Sequence, residues 1–128
     1  MSIKILFTVA IGGALGAMMR YLLMSGVGHF ICTGFPYSTL AVNVVGSFAL
    51  GSLIEVMDLH WMPGQDMRSF LVVGVLGSFT TFSAFSQDVI FLIERGDPSL
   101  AGLYIFLSVV LSIAGMFAGM ILLRQMMV

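Results

Sequence analysis

Four long apolar runs separated by three short polar breaks set the pattern of this 128-residue chain. A helix that crosses a bilayer needs roughly 20 mainly apolar residues. The runs therefore predict four spans, at about Ile3–Met24, Ser38–Met57, Ser69–Ile93 and Ser99–Leu123. Gly26, Gly28, Gly34 and Pro36 punctuate the first break, and Ser38 is the expected cap of the second span. The second break, Asp58 to Arg68, carries Trp61, which suits a membrane interface; the third is the tight run Glu94–Arg95–Gly96–Asp97–Pro98. Lys4 followed by uncharged Ile5–Met19 has a signal-like look, but without a small-x-small cleavage site it reads as the first span.

Polar positions inside the apolar runs are few and periodic. Thr39, Asn43 and Ser47 fall at i, i+4 and i+8 of the second span, and Tyr104, Ser108 and Ser112 do the same in the fourth, so each set shares one helix face. A buried Asn43 amide must be paired; it reads either as an interhelical hydrogen bond, worth about 0.6 kcal/mol on average, or as a pore-lining donor. Small residues mark close helix crossings: Gly12, Gly13, Ala14, Gly16 and Ala17 in the first span, Gly115 and Gly119 in the fourth.

The third span breaks the pattern. From Gly74 to Asp88 it reads GVLGSFTTFSAFSQD, where glycines cost backbone entropy and Ser78, Thr80, Thr81, Ser83 and Ser86 compete for backbone partners. In lipid, irregular backbone is tolerated only where protein buries it or a wet cavity borders it, so this stretch predicts a helix interrupted at a functional site. Phe82 and Phe85 within it, at i and i+3, share a face where its flanks are helical. By itself such a pair reads as lipid-facing or core packing.

Composition places the chain in a membrane as a single multi-pass domain spanning residues 1–128: 59% of residues are hydrophobic, 9% are charged, and mean hydropathy is +1.11. A net charge of -1 gives no reason to expect a nucleic-acid partner. The single Cys32, with His29 and His60, is too sparse for a disulfide or a metal cage. No carboxylate, lysine or histidine lies near a midspan, which argues against proton-coupled antiport and leaves no nucleophile with its base for an enzyme. Lys4, Arg68 and Arg124 fall on one side and Arg20 and Arg95 on the other, so the basic residues set almost no orientation. Such a chain is able to insert both ways up and to pair with an inverted copy.

What remains is passive permeation or pure assembly. A path for a small anion must replace its water with donors. The Asn43 amide, the hydroxyls of Thr39, Ser83, Tyr104, Ser108 and Ser112, and amide N–H groups at the broken helix all qualify. The electropositive ring edges of Phe82 and Phe85 can join them. Arg20 reads as an interfacial arginine or as an anion-attracting charge at a vestibule.

Three runs carry a resemblance: Gly13–Arg20 (GALGAMMR), Pro36–Gly46 (PYSTLAVNVVG) and Gly74–Phe85 (GVLGSFTTFSAF) resemble, in order, the signature segments of the Fluc fluoride channel family. The resemblance implies an all-α antiparallel dual-topology homodimer in the bacterial cytoplasmic (inner) membrane, with two narrow pores that export fluoride and exclude chloride. It assigns the pore to Asn43, Phe82, Phe85, Tyr104, Ser108 and Ser112, the vestibule to Arg20, and a structural Na+ to the backbone carbonyls of Gly77 and Thr80. The chain departs from the family's pattern at Ser78, where Gly is usual, at Ala84, where Thr is usual, and at Asp88, where Glu is usual. Ala84 leaves no hydroxyl at its position, and Asp88 keeps the charge on a shorter arm. The competing readings are a small dual-topology multidrug antiporter, which would want a carboxylate in the first span, and a non-conducting assembly subunit.

Overall fold

The computed structural model describes residues 1–31 and 33–128, so Cys32 lies outside the described residues. Four helical spans are long and apolar enough to cross a membrane, and the protein is an all-α multi-pass membrane protein. Helix α1 covers Ile3–Phe30 and α2 covers Tyr37–Leu59. The third span is composite: α3 (Gln65–Arg68), a π-helix (Ser69–Leu76), α4 (Gly77–Phe79), an extended pair Thr80–Thr81, and α5 (Phe82–Glu94). Helix α6 covers Pro98–Met127, with the proline at its first position, where no intrahelical N–H is needed.

Several boundaries differ from the hydrophobic pattern: the third span starts at Gln65 and α6 runs on to Met127, and two further shifts have a local cause. Helix α1 continues through Ser25–Gly28 to Phe30, because Gly26 and Gly28 are tolerated inside an already propagating helix. Helix α2 starts at Tyr37 behind a Pro36 N-cap, so Ser38 lies within the first turn and no side chain caps the helix. The third turn, by contrast, closes where the glycine stands: Gly96 takes a φ of +94°, a left-handed conformation that needs no Cβ.

The spans pack as two tight pairs, α1 against the π-helix and α2 against α6. Small residues permit both. A Cβ on Gly12 would sit 3.1 Å from the Gly74 Cα and 2.5 Å from the Phe70 carbonyl, so the two backbones are in direct contact. Gly16 lies one turn on, against the Val75 carbonyl, and Gly119 meets the Phe48 carbonyl and Ser52 across the other pair. In lipid, where apolar burial gives helices little reason to associate, such close backbone packing is a main attractive term. Large apolar side chains such as Ile11, Leu22, Phe106 and Phe117 point outward, as lipid requires.

Charged groups close the ends. Glu55 is 2% exposed at the end of α2 and accepts two hydrogen bonds from Arg124 of α6, Nε at 2.6 Å and Nη2 at 3.1 Å. Lys4 pairs with Asp66, and Arg95 donates to Asp97 at 2.8 Å and to the Gly34 carbonyl at 2.9 Å. A buried carboxylate is tolerable only when paired in this way.

The α1 crossing yields a matched test. Gly16→Ala places a methyl against the Val75 backbone and should destabilise the fold by about 1–3 kcal/mol, the usual cost of overpacking. Gly26→Ala, on the same helix with nothing within 4 Å of the added Cβ, should leave thermal unfolding in detergent unchanged or raise it slightly.

Candidate functional site

The site is built on the interruption of the third span. Thr80 (φ −77°, ψ 157°) and Thr81 (φ −150°, ψ 115°) are extended, with residues 65–79 before them and 82–94 after, so the break lies near the middle of the span. Each threonine secures one side. The Thr80 hydroxyl donates back to the Leu76 carbonyl at 3.1 Å, ending the incoming helix. The Thr81 hydroxyl accepts from the Ala84 N–H at 3.1 Å, capping α5, and contacts the Ser83 hydroxyl at 3.3 Å.

Asn43 pairs the exposed backbone. Its Oδ1 accepts from the Thr81 N–H at 2.7 Å and its Nδ2 donates to the Thr81 carbonyl at 3.0 Å, so one side-chain amide plays the part of a neighbouring strand. The residue is therefore an interhelical hydrogen bond first. It also lines the adjoining cavity, and an amide NH2 carries a second N–H. Thr81, 38 positions away, is the hydrogen-bond partner that periodicity does not reveal.

The same bonds free two carbonyls. In a continuous helix the Gly77 carbonyl would accept from the Thr81 N–H, and the Thr80 carbonyl from the Ala84 N–H. Those donors go instead to Asn43 and to the Thr81 hydroxyl. Gly77 and Thr80 thus present carbonyl oxygens stripped of their helical donors, which is the donor set a small hard cation takes. Among the described residues no group of His, Cys, Asp or Glu is placed to hold a metal.

A cavity of about 420 Å³ opens beside the break, bordered by Asn43, Ser47, Gly77, Thr80, Thr81, Phe82, Phe85, Ser108 and Ser112. The hydroxyl stripes of α2 and α6 and the broken span meet there, and among the described residues no ionisable side chain lines it. Ser108 Oγ is buried without a hydrogen-bond partner. Phe85 is buried and Phe82 is 78% exposed, their ring centroids 5.3 Å apart. Thr39 and Tyr104 stand behind this cavity rather than on its wall: both are buried, and the Tyr104 ring packs 5.2 Å from Phe85. The Tyr104 hydroxyl donates to Asp88 at 3.0 Å, a link between α6 and α5 that sequence spacing does not show. Thr39 and Ser108 flank this phenol, with Ser108 outside hydrogen-bond geometry.

Arg20 and Ser83 belong to a second pocket, of about 520 Å³, with Met24, Thr81, Ala84 and Gln87. Thr81 borders both pockets. Ser83 is thus gathered with Arg20 and not with the Phe82–Phe85 rings, and Ala84 lines the pocket through a methyl alone.

Fold and site define a class: small four-span membrane proteins with one helix broken at membrane depth beside a hydroxyl-lined cavity. Residues 7–120 match the family model described as CrcB-like protein, Camphor Resistance (CrcB), and the chain belongs to that family. A relative from Rhodospirillum centenum named fluoride-specific ion channel FluC is 50% identical over 121 residues, covering 94% of this chain and 96% of its own. Proteins of the same name from Agrobacterium fabrum, 50% identical over 120 residues, and from Cereibacter sphaeroides, 50% identical over 125, are covered over 94% and 98% of their lengths and match 92% and 98% of this chain.

The pairing at the break predicts an ordered series. Asn43→Ala leaves the Thr81 N–H unpaired, at about 1–3 kcal/mol for a buried group, strips one donor from the Thr81 carbonyl, and should lower thermal stability in detergent markedly. Asn43→Asp keeps the acceptor and loses the donor, so its unfolding temperature should fall between the alanine variant and the native protein.

Proposed function

We propose that this protein is a fluoride-selective channel of the bacterial cytoplasmic membrane, through which the ion leaves the cell down its gradient without covalent chemistry. The observation that carries the reading is the unpartnered Ser108 hydroxyl in a cavity with no ionisable lining. Burying an anion is strongly unfavourable unless fixed donors replace its water, and a neutral donor set does so without trapping the ion. Asn43, Ser108 and Ser112 supply hydrogen-bond donors, and the edges of Phe82 and Phe85 supply positive quadrupole density. The relatives' shared name points the same way.

The cavity is a groove on the surface of one chain, and Phe82 is mostly exposed on its rim. Hydroxyls open to lipid would be costly, so the groove calls for a cover. A second, inverted copy provides one and yields two equivalent pores, in keeping with the three-to-two split of Lys and Arg between the two sides. The freed Gly77 and Thr80 carbonyls, doubled by a two-fold axis, make a shell that would hold a Na+ fixed in the structure; the ion would supply positive charge that draws the two chains together. In this reading Arg20 serves the second pocket as an anion-attracting vestibule charge.

Purified protein in liposomes should release fluoride and retain chloride; a silent fluoride electrode overturns the reading. Ser108→Ala removes a hydroxyl that bonds nothing in the resting fold, so it should slow fluoride release roughly twofold to tenfold while leaving the unfolding temperature unchanged.

A further inference from the structure

The loop between α1 and α2 ends in a tight turn at Pro36. Tyr37 N–H donates to the Phe35 carbonyl at 2.9 Å across Pro36, whose φ of −80° and ψ of 65° make an inverse γ-turn. Proline fixes its own φ and drives the preceding residue to extended backbone, so Phe35 has little freedom to turn away. Its ring packs against the buried cluster of Phe85, Leu92, Ala101 and Tyr104. The Phe35 and Tyr104 centroids lie 5.5 Å apart at an interplanar angle of 89°, an edge-to-face contact. From the third turn, Arg95 donates to the Gly34 carbonyl at 2.9 Å while Asp97 holds its Nε at 2.8 Å, so the loop is pinned across the bundle end next to Phe35.

The rings form a continuous series. Tyr37, Phe35, Tyr104, Phe85 and Phe82 follow one another at centroid spacings of 4.8, 5.5, 5.2 and 5.3 Å, from the bundle end to the cavity rim. Tyr104 is fully buried between Phe35 and Phe85, with its hydroxyl on Asp88. Removing Phe35 would empty one side of the Tyr104 ring and let both that ring and Phe85 move.

We propose that Phe35, aimed by the Pro36 turn and the Arg95–Gly34 bond, is a positioning residue for ion passage: it fixes the Tyr104 ring and, through it, the Phe85 edge at the cavity. This rests on the fluoride-channel reading above. Phe35 does not itself line the cavity, so its effect is transmitted by contact with the rings that do.

The test compares Phe35→Ala, Phe35→Leu and Phe35→Tyr in liposomes, with chloride retention as control and tyrosine-ring NMR of the same proteins in detergent. Leucine keeps apolar filling but has no ring edge; tyrosine keeps the ring. Phe35→Ala and Phe35→Leu should release fluoride about threefold to tenfold more slowly than the native protein, the loss expected from one aromatic contact, with the Tyr104 resonance shifted. Phe35→Tyr should restore both. Native rates in Phe35→Leu, or a loss in Phe35→Ala that tracks only its failure to fold, overturn the proposal. Should the native protein itself release no fluoride, the channel reading fails, and a Tyr104 resonance unmoved by Phe35→Leu then overturns the ring contact on its own.

Discussion

Everything at the centre of this molecule depends on how an unwound stretch of backbone is satisfied away from water. Thr80 and Thr81 leave helical geometry in mid-membrane, where no solvent can take the loose N–H and carbonyl groups. The Asn43 amide takes both groups of Thr81 at once. That pairing has two results on opposite sides of the same peptide segment. It frees the Gly77 and Thr80 carbonyls from their helical donors, and it starts α5 in the direction that brings Phe82 and Phe85 to the cavity. Carbonyls without helical donors and an aromatic-edged cavity thus share a single break.

Around that break, rigidity comes from unlike sources. Backbone contact at Gly12 and Gly74 holds the incoming half of the third span, while the outgoing half is held by aromatic packing on α6 and by the Tyr104–Asp88 hydrogen bond. The two halves are gripped by different neighbours. The donors of the cavity are therefore positioned by three spans rather than by one, which is how a neutral site keeps fixed dipoles without charged anchors.

Much of this was legible in the chain, for identifiable reasons. Apolar runs and short polar breaks define four spans because bilayer thickness leaves few other solutions, and the cluster of glycines and hydroxyls at Gly74–Asp88 marks the broken one. Helical periodicity alone puts Asn43 on a face with Thr39 and Ser47. What periodicity cannot supply is a partner in another span. Thr81 lies 38 positions from Asn43, Arg124 lies 69 from Glu55, and Tyr104 lies 16 from Asp88, and each pair is set by helix packing. Phe35 carries no such signal, because an aromatic in a Gly- and Pro-rich loop has no repeat to fall in with. The π-winding of Ser69–Leu76 carries none either, because hydrophobicity gives no sign of an i to i+5 hydrogen-bond pattern.

That wide-wound segment bears on how the chain tolerates changes in length. A π-turn holds one residue more than an α-turn, so a single residue lost between Ser69 and Leu76 can be absorbed by tightening the winding, with the break still facing Asn43. The same loss just after Thr81 has no slack to draw on. It would remove Phe82 itself, rotate the rest of the α5 face by about 100° and carry Phe85 off the cavity wall. The third span therefore joins an elastic half to a half of fixed phase, and a one-residue change in length is absorbed without moving the break only in the former.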